Sequence, residues 1–289
     1  MPVDLASASP VTIPTSDRLH LHARFWAHPD PRGVLIVVHG FGEHSGCYQH
    51  VAEAVRDGAG MSVLGVDLRG HGRSPGRRGV VRTYDDLTSD LLSAVDWVDR
   101  RHPGVPRYIL GHSNGGQVAL RATISLSGDR APAGLILSNP SLRLSFPVPR
   151  HMVALGRILL YLAPSVTLPA PVVPSKLSSD PAMTSFYLDD PLRHARMSAP
   201  LYFGMIDGGR RLLERLEQVT TRVLMIIGGR DPVVDPEACR QAFERIGSSD
   251  KSLLFYPEML HEPFNELGRE KVIADLVDWL KRRVGSVVA

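Results

Sequence analysis

A series of short, almost uninterrupted apolar runs constrains this 289-residue chain more than any other feature. Residues 33–39 (GVLIVVH), 61–68 (MSVLGVDL), 107–110 (RYIL), 133–137 (AGLIL) and 222–227 (RVLMII) are rich in branched aliphatic side chains. A strand with one wet face alternates apolar and polar residues, whereas a continuous apolar run belongs to a strand covered on both faces. Between these runs, residues 84–101 place Leu87, Leu91, Leu92, Val95 and Val98 at helical spacing, with Thr83 positioned as an N-cap. Residues 117–125 (QVALRATIS) and 271–284 also read as helices, residues 252–256 as a last strand, and residues 19–27 as an edge strand. Strand–helix alternation of this kind predicts an α/β fold, a mostly parallel sheet with helices on both faces.

One region breaks the rhythm. From residue 140 to 216 the alternation stops and prolines cluster (Pro147, Pro149, Pro164, Pro169, Pro171, Pro174). So long a stretch between two strands reads as an inserted helical cap, not a plain loop. It is expected to lie over the strand C-termini, where open α/β sheets bind ligands. The expected division is a core of residues 1–139 and 217–289 and a cap of residues 140–216.

Composition narrows the partners. The net charge is +3, and acidic residues are interspersed with basic ones, so a nucleic-acid partner is not expected. The densest basic stretch, residues 69–82, carries glycines but no interleaved aromatics and reads as a solvated loop. Cys47 and Cys239 offer neither a disulfide framework nor a metal site and read as free thiols in a reducing compartment. The first residues lack a charged n-region and an apolar h-region, and the longest apolar candidate, residues 152–163, is short and contains Arg157. A cytoplasmic protein is expected, with transient contact to a membrane surface through the cap. There the apolar run 152–163 is accompanied by Arg143, Arg150 and Arg157 to meet anionic headgroups.

The pattern Gly-x-Ser-x-Gly occurs twice, as GRSPG (residues 72–76) and GHSNG (residues 111–115). Ser113 follows the strand RYIL and precedes a helix, the strand–turn–helix setting of a nucleophile elbow. The turn is sharp, so Gly111 and Gly115 must lack side chains for strand and helix to close. Ser74 is followed by Pro75 and by no helix in register, so it reads as a turn residue.

A serine hydroxyl needs an imidazole base, and the imidazole needs a carboxylate to fix its tautomer. On an elbow of this kind the chain order is Ser, then Asp or Glu, then His. Asp231 lies just past the strand 222–227, in GGRDPVV. Asp235 is the nearby rival and reads better as the N-cap of a helix starting at Pro236; Asp207 is a weaker candidate. His261, after the last strand, is the histidine the order predicts. The two donors for a tetrahedral oxyanion should be the backbone N–H of Asn114, next to the nucleophile, and that of Phe41 in His39-Gly40-Phe41-Gly42.

With these pieces in place the chain resembles the monoacylglycerol lipase and bacterial lysophospholipase group of α/β-hydrolases. HGFGEHSG (39–46), DLRGHGRS (67–74), GHSNGG (111–116), GGRDPVV (228–234) and LHE (260–262) occur in that group's order over nearly the whole chain. The resemblance implies a cap lining an acyl tunnel, a serine carboxylester hydrolase acting on single-acyl lipids or small esters, and no metal or organic cofactor. It makes Ser74 the close of a structural loop motif. Glu43 matches a glutamate of the alcohol pocket, whereas the arginine position of that pocket is Cys47 and its second histidine position is Phe264. Asn114 stands where the group usually has methionine and would set a polar side chain beside the oxyanion site. The polar grip on glycerol is therefore expected to be weak.

Four other readings compete. A lysophospholipase would share the acyl side. Epoxide and haloalkane hydrolases need an aspartate nucleophile, which Ser113 is not. A peptidase needs an acidic site for the substrate amine, which the sequence does not place. A non-catalytic binding protein would have lost one of Ser113, Asp231 and His261.

Overall fold

The structure, a computed structural model, describes residues 8–284. It runs through β1 (Ser9–Pro14), β2 (His20–Trp26), β3 (Val34–Val38), α1 (Gln49–Ala59), β4 (Ser62–Val66), α2 (Asp85–Arg101), β5 (Arg107–His112), α3 (Asn114–Ser125) and β6 (Gly134–Ser138). A long segment follows with α4 (Arg150–Leu162), β7 (Thr167–Pro169), α5 (Pro181–Asp189), β8 (Arg196–Ser198) and α6 (Ala199–Leu213). The chain then returns through β9 (Arg222–Gly228), α7 (Pro236–Arg245), β10 (Lys251–Tyr256) and α8 (Arg269–Val284).

Eight strands form one sheet in the order β1-β2-β4-β3-β5-β6-β9-β10. Neighbours from β4 to β10 run parallel, while β2 is antiparallel to both β4 and β1. Every residue of β3, β4 and β6 is buried, as continuous apolar runs require. Alternate residues serve opposite faces. Val34, Ile36 and Val38 join one apolar cluster with Leu87, Leu91 and Val118 of α2 and α3. Leu35 and Val37 join a second with Val51, Val55, Leu276 and Leu280 of α1 and α8.

Some local expectations change. Thr83 does not cap α2; Tyr84 holds that position without a side-chain bond, and the Asp86 carboxylate instead receives the N–H groups of Arg82 and Thr83. α1 has no clear strand–helix cue before it, yet it buries Val51, Ala52, Val55 and Ala59 and stops at Gly60, whose φ of 66° is left-handed. The basic stretch 69–82 is not wholly solvated. Arg69 is buried because Asp90 and Asp17 pair with its guanidinium at 2.6 and 2.8 Å. Between β6 and β9 the chain carries three α-helices and the antiparallel pair β7–β8, joined by irregular stretches.

Candidate active site

Ser113 sits between β5 and α3 with φ 52° and ψ −119°, a backbone that side-chain-bearing residues rarely adopt. Its neighbours explain how the turn closes. A Cβ on Gly111 would stand 2.4 Å from the Gly115 carbonyl oxygen, and one on Gly115 would stand 2.3 Å from that of Val38. Ser74 lies elsewhere, buried in a loop. Its hydroxyl donates to the Asp67 carbonyl and accepts the His22 N–H at 2.9 Å, so both capacities are used structurally.

His261 Nε2 is 2.9 Å from Ser113 Oγ, and His261 Nδ1 is 2.6 Å from Asp231 Oδ2. The carboxylate fixes the tautomer: Nδ1 carries the proton, leaving Nε2 to accept from the serine hydroxyl. Asp231 is itself held at four points. Oδ1 receives the N–H groups of Val233 and Val234, and Oδ2 receives Asn139 Nδ2 at 2.6 Å as well as His261. Asp235 instead caps α7 by accepting from Glu237 and Ala238, and Asp207 lies on α6.

Asn139 is a residue that sequence reasoning missed. It follows β6 with φ 40°, and its side-chain oxygen also accepts the Gly228 N–H. The one local signal is an asparagine at a strand end, a residue type that tolerates left-handed backbone.

Burial works against the charged form of His261, but Asp231 and, further off, Glu262 and Glu43 outweigh it, so its pKa lies above the ordinary histidine value. His112, whose ring centroid is 4.9 Å from that of His261, behaves oppositely: burial and the neighbouring His261 lower it to about 3, and it stays neutral.

The loop after β3 lies against Ser113. A Cβ on Gly40 would stand 3.3 Å from Ser113 Cβ, which brings the backbone at Phe41 beside the serine. Glu43 shapes this loop by accepting the Gly40 N–H and the Tyr48 hydroxyl, each at 2.7 Å. Asn114 opens α3, where backbone N–H groups have no helical partner. Its side chain does not turn toward the space over Ser113, where the sequence suggested a polar group. It is buried, accepts the Tyr84 hydroxyl at 2.7 Å, and does not line the cavity.

A cavity of about 520 Å³ opens over Ser113 and His261, within the roughly 300–1,000 Å³ of small-molecule sites. Its wall is mostly apolar and comes largely from the segment between β6 and β9, with Phe146, Val148, Met152, Leu159, Leu168 and Tyr202 among its residues. Glu43 lines it, as does Glu262, which the sequence reading did not single out. Cys47 and Phe264 do not. Both belong to the buried cluster on the α1–α8 face, because the helical turns carrying them point their side chains into the core.

An arginine is nevertheless present beside Cys47, from far along the chain. Arg193 Nη1 lies 3.2 Å from Cys47 Sγ, and Nη2 lies 3.5 Å from both Glu43 Oε1 and Glu262 Oε1. Among the described residues, two groupings bring three potential ligand atoms within 4.8 Å of one another: His44, Cys47 and Asp190, and Glu43, His112 and Glu262. Arg193 already supplies a cation to Cys47 and to both glutamates. His44 Nδ1 accepts the Gly46 N–H, so its Nε2 carries the proton and donates to Asp190 at 2.6 Å. These groups fit a hydrogen-bonded network better than a metal ion.

A mostly parallel sheet with a Ser–His–Asp chain assembled on an elbow at its strand C-termini defines an α/β-hydrolase of the serine type. The comparisons agree: residues 29–268 match the family described as "Serine aminopeptidase, S33", and the chain belongs to that family. It is 32% identical over 252 residues to a monoacylglycerol lipase of Mycolicibacterium smegmatis, covering 87% of this chain and 89% of that one. It is 29% identical over 280 residues to the monoglyceride lipase of Homo sapiens, covering 94% and 90%. Among solved structures, the monoacylglycerol lipase of Paleococcus ferrophilus superposes with a TM-score of 0.82 at 31% identity, over 91% of this chain and 99% of that one.

Proposed function

We propose that the protein hydrolyses carboxylic esters of single-acyl lipids through an acyl-enzyme on Ser113. The observation that carries this reading is the unbroken chain from Ser113 Oγ through His261 to Asp231, at 2.9 and 2.6 Å. Ser113 Oγ attacks the ester carbonyl carbon while its proton passes to His261 Nε2. The carbonyl oxygen becomes an oxyanion held by the N–H groups of Phe41 and Asn114, and Asp231 stabilises the imidazolium. The imidazolium then protonates the leaving alcohol oxygen as the carbon–oxygen bond breaks. Water repeats the sequence on the acyl-enzyme, releasing the fatty acid.

In this reading residues 140–216 form a cap over the core of residues 1–139 and 217–289, and the apolar cavity takes one acyl chain. The monoacylglycerol lipase names of the relatives support a single-chain substrate, with lysophospholipids as the alternative. α4 leaves Leu155, Ile158, Tyr161 and Leu162 exposed, a face suited to transient contact with a lipid surface. Of the arginines expected there, Arg143 pairs with Asp235 at 2.8 Å and Arg157 stacks over Phe203, so Arg150 is the one left to meet a headgroup. No helix among the described residues is long and apolar enough to cross a membrane. The buried free thiols Cys47 and Cys239 suit the reducing cytoplasm.

The family description invites a peptidase reading. Glu43 and Glu262 are acidic groups beside the serine, but Arg193 already pairs with both, which disfavours a site for a substrate amine. The test is a panel of esters varying acyl length against one alcohol, then alcohol against one acyl chain, beside aminoacyl amides. Hydrolysis of the esters with single-chain preference is expected. Faster cleavage of the amides would overturn the reading.

A further inference from the structure

Arg193 lies between α5 and β8, in the segment inserted between β6 and β9, yet its side chain is only 9% exposed and its partners come mainly from the core. Glu43 belongs to the loop that carries Phe41, and Glu262 is the chain neighbour of His261. Among the described residues neither carboxylate has another ion pair. The guanidinium face packs on the Tyr187 ring at 3.7 Å, and the Tyr187 hydroxyl donates to Glu262.

Of the other titratable groups around this cluster, Asp190 stays ionised because its bond to His44 outweighs burial, while Cys47, Tyr48, Tyr187, His112 and His39 hold no charge. Burial and Glu43 push the Cys47 thiol up to about 12, burial raises the Tyr48 and Tyr187 phenols well above their usual values, and His112 stays neutral. Burial lowers His39, which faces Glu43 from the end of β3. His44 and Asp190 bond to each other on the side of Cys47. The charges that face His261 are therefore Asp231, its direct partner, and the group of Glu43, Glu262 and Arg193. Burial opposes ionisation of both glutamates. At Glu43, Arg193 and Tyr48 overcome it and hold the carboxyl down, whereas at Glu262 the neighbouring Glu43 adds to it and the carboxyl is raised.

We propose that Arg193 is a positioning residue for ester hydrolysis: it carries the counter-charge for Glu43 and Glu262 from the inserted segment into the core and through them sets the protonation of His261. This rests on the reading of Ser113 as nucleophile and His261 as base. Carboxylates near an imidazole favour imidazolium, which cannot accept the serine proton, and a guanidinium between them cancels one such charge. An intact inserted segment thus keeps the base neutral and working at lower pH.

The test is the rate of Ser113 labelling by a fluorophosphonate as a function of pH, which reads the base without depending on the choice of ester. Arg193→Met is expected to move the acidic limb up by about one pH unit, the scale of one unit charge in a buried neighbourhood. Labelling at pH 6 should then fall about tenfold more than at pH 8.5. Arg193→Lys retains the charge and should keep the limb close to its wild-type position. Glu43→Gln removes a negative charge and should move the limb the other way, so the account stays testable if Arg193→Met does not fold. A limb unmoved in the folded variants, with labelling slowed equally at all pH, would show that Arg193 only packs and would overturn the inference. Arg193→Lys shifting as far as Arg193→Met would do the same. A wild-type protein that does not label at all would instead defeat the reading of Ser113.

Discussion

Asn139 Nδ2 donates at 2.6 Å to the same Asp231 oxygen that receives His261 Nδ1. The carboxylate is therefore aimed from β6 as well as from its own loop. Asn139→Ala is expected to lower kcat/KM by about 10–100-fold, since the base keeps its partner but loses its alignment. Asp231→Asn should lower it by about 10³–10⁴-fold. Asp235→Asn should leave kcat/KM nearly unchanged and cost at most about 1 kcal/mol of stability as an altered helix cap. Steady-state kinetics with thermal melts on the three variants separate these outcomes.

The pH dependence follows from the sign of the His261 shift. Its pKa is raised, chiefly by Asp231 against the effect of burial, and the reaction needs the neutral imidazole. Activity should therefore fall as pH drops through a value above the ordinary 6.5 of histidine. His112 stays neutral down to about 3 and should add no second limb. The check is kcat/KM from pH 5 to 9; a flat profile, or a limb well below 6, would contradict a histidine base held by Asp231.

Phe264 is 2% exposed within the α1–α8 cluster. Phe264→His should therefore destabilise the protein by about 2 kcal/mol or more by burying a polar ring. It should not change the ratio of kcat/KM for a monoacylglycerol and a methyl ester of the same acid. A changed ratio without loss of stability would show that position 264 reaches the substrate.

In the proposed reading the cavity wall sets the acyl preference. Leu159 of α4 lines it, and Leu159→Trp should shorten the preferred acyl chain while short-chain esters are cleaved about as well as before. Emulsified long-chain triacylglycerol should be a poor substrate if, as proposed, the cavity of about 520 Å³ takes one acyl chain. Rates across an acyl-length series in both proteins, with the triacylglycerol alongside, test this.

The parallel strands were legible because their burial on both faces leaves no polar residue in a strand such as VLIVV of β3. The positions now occupied by Ser113, Asp231 and His261 were legible because each follows a strand, in a fixed order. Asn139 and Arg193 were not. Each meets partners distant in sequence, 92 residues away at Asp231 for Asn139 and 69 at Glu262 for Arg193, and neither sits in a local pattern that foretells the meeting. Cys47 and Phe264 were misplaced for the converse reason: a matching position in a motif does not say which way a helical turn points its side chain.

Ser113, not Ser74, is the residue proposed to form the covalent intermediate. The most direct measurement is intact-protein and peptide mass spectrometry after reaction with a fluorophosphonate, on wild type, Ser113→Ala and Ser74→Ala, each with its ester hydrolysis rate. The account predicts one adduct per chain on the peptide containing Ser113. It predicts no adduct and a loss of hydrolysis of several orders of magnitude in Ser113→Ala, and labelling with most activity retained in Ser74→Ala. An adduct on the Ser74 peptide, or hydrolysis that survives in Ser113→Ala, would contradict it.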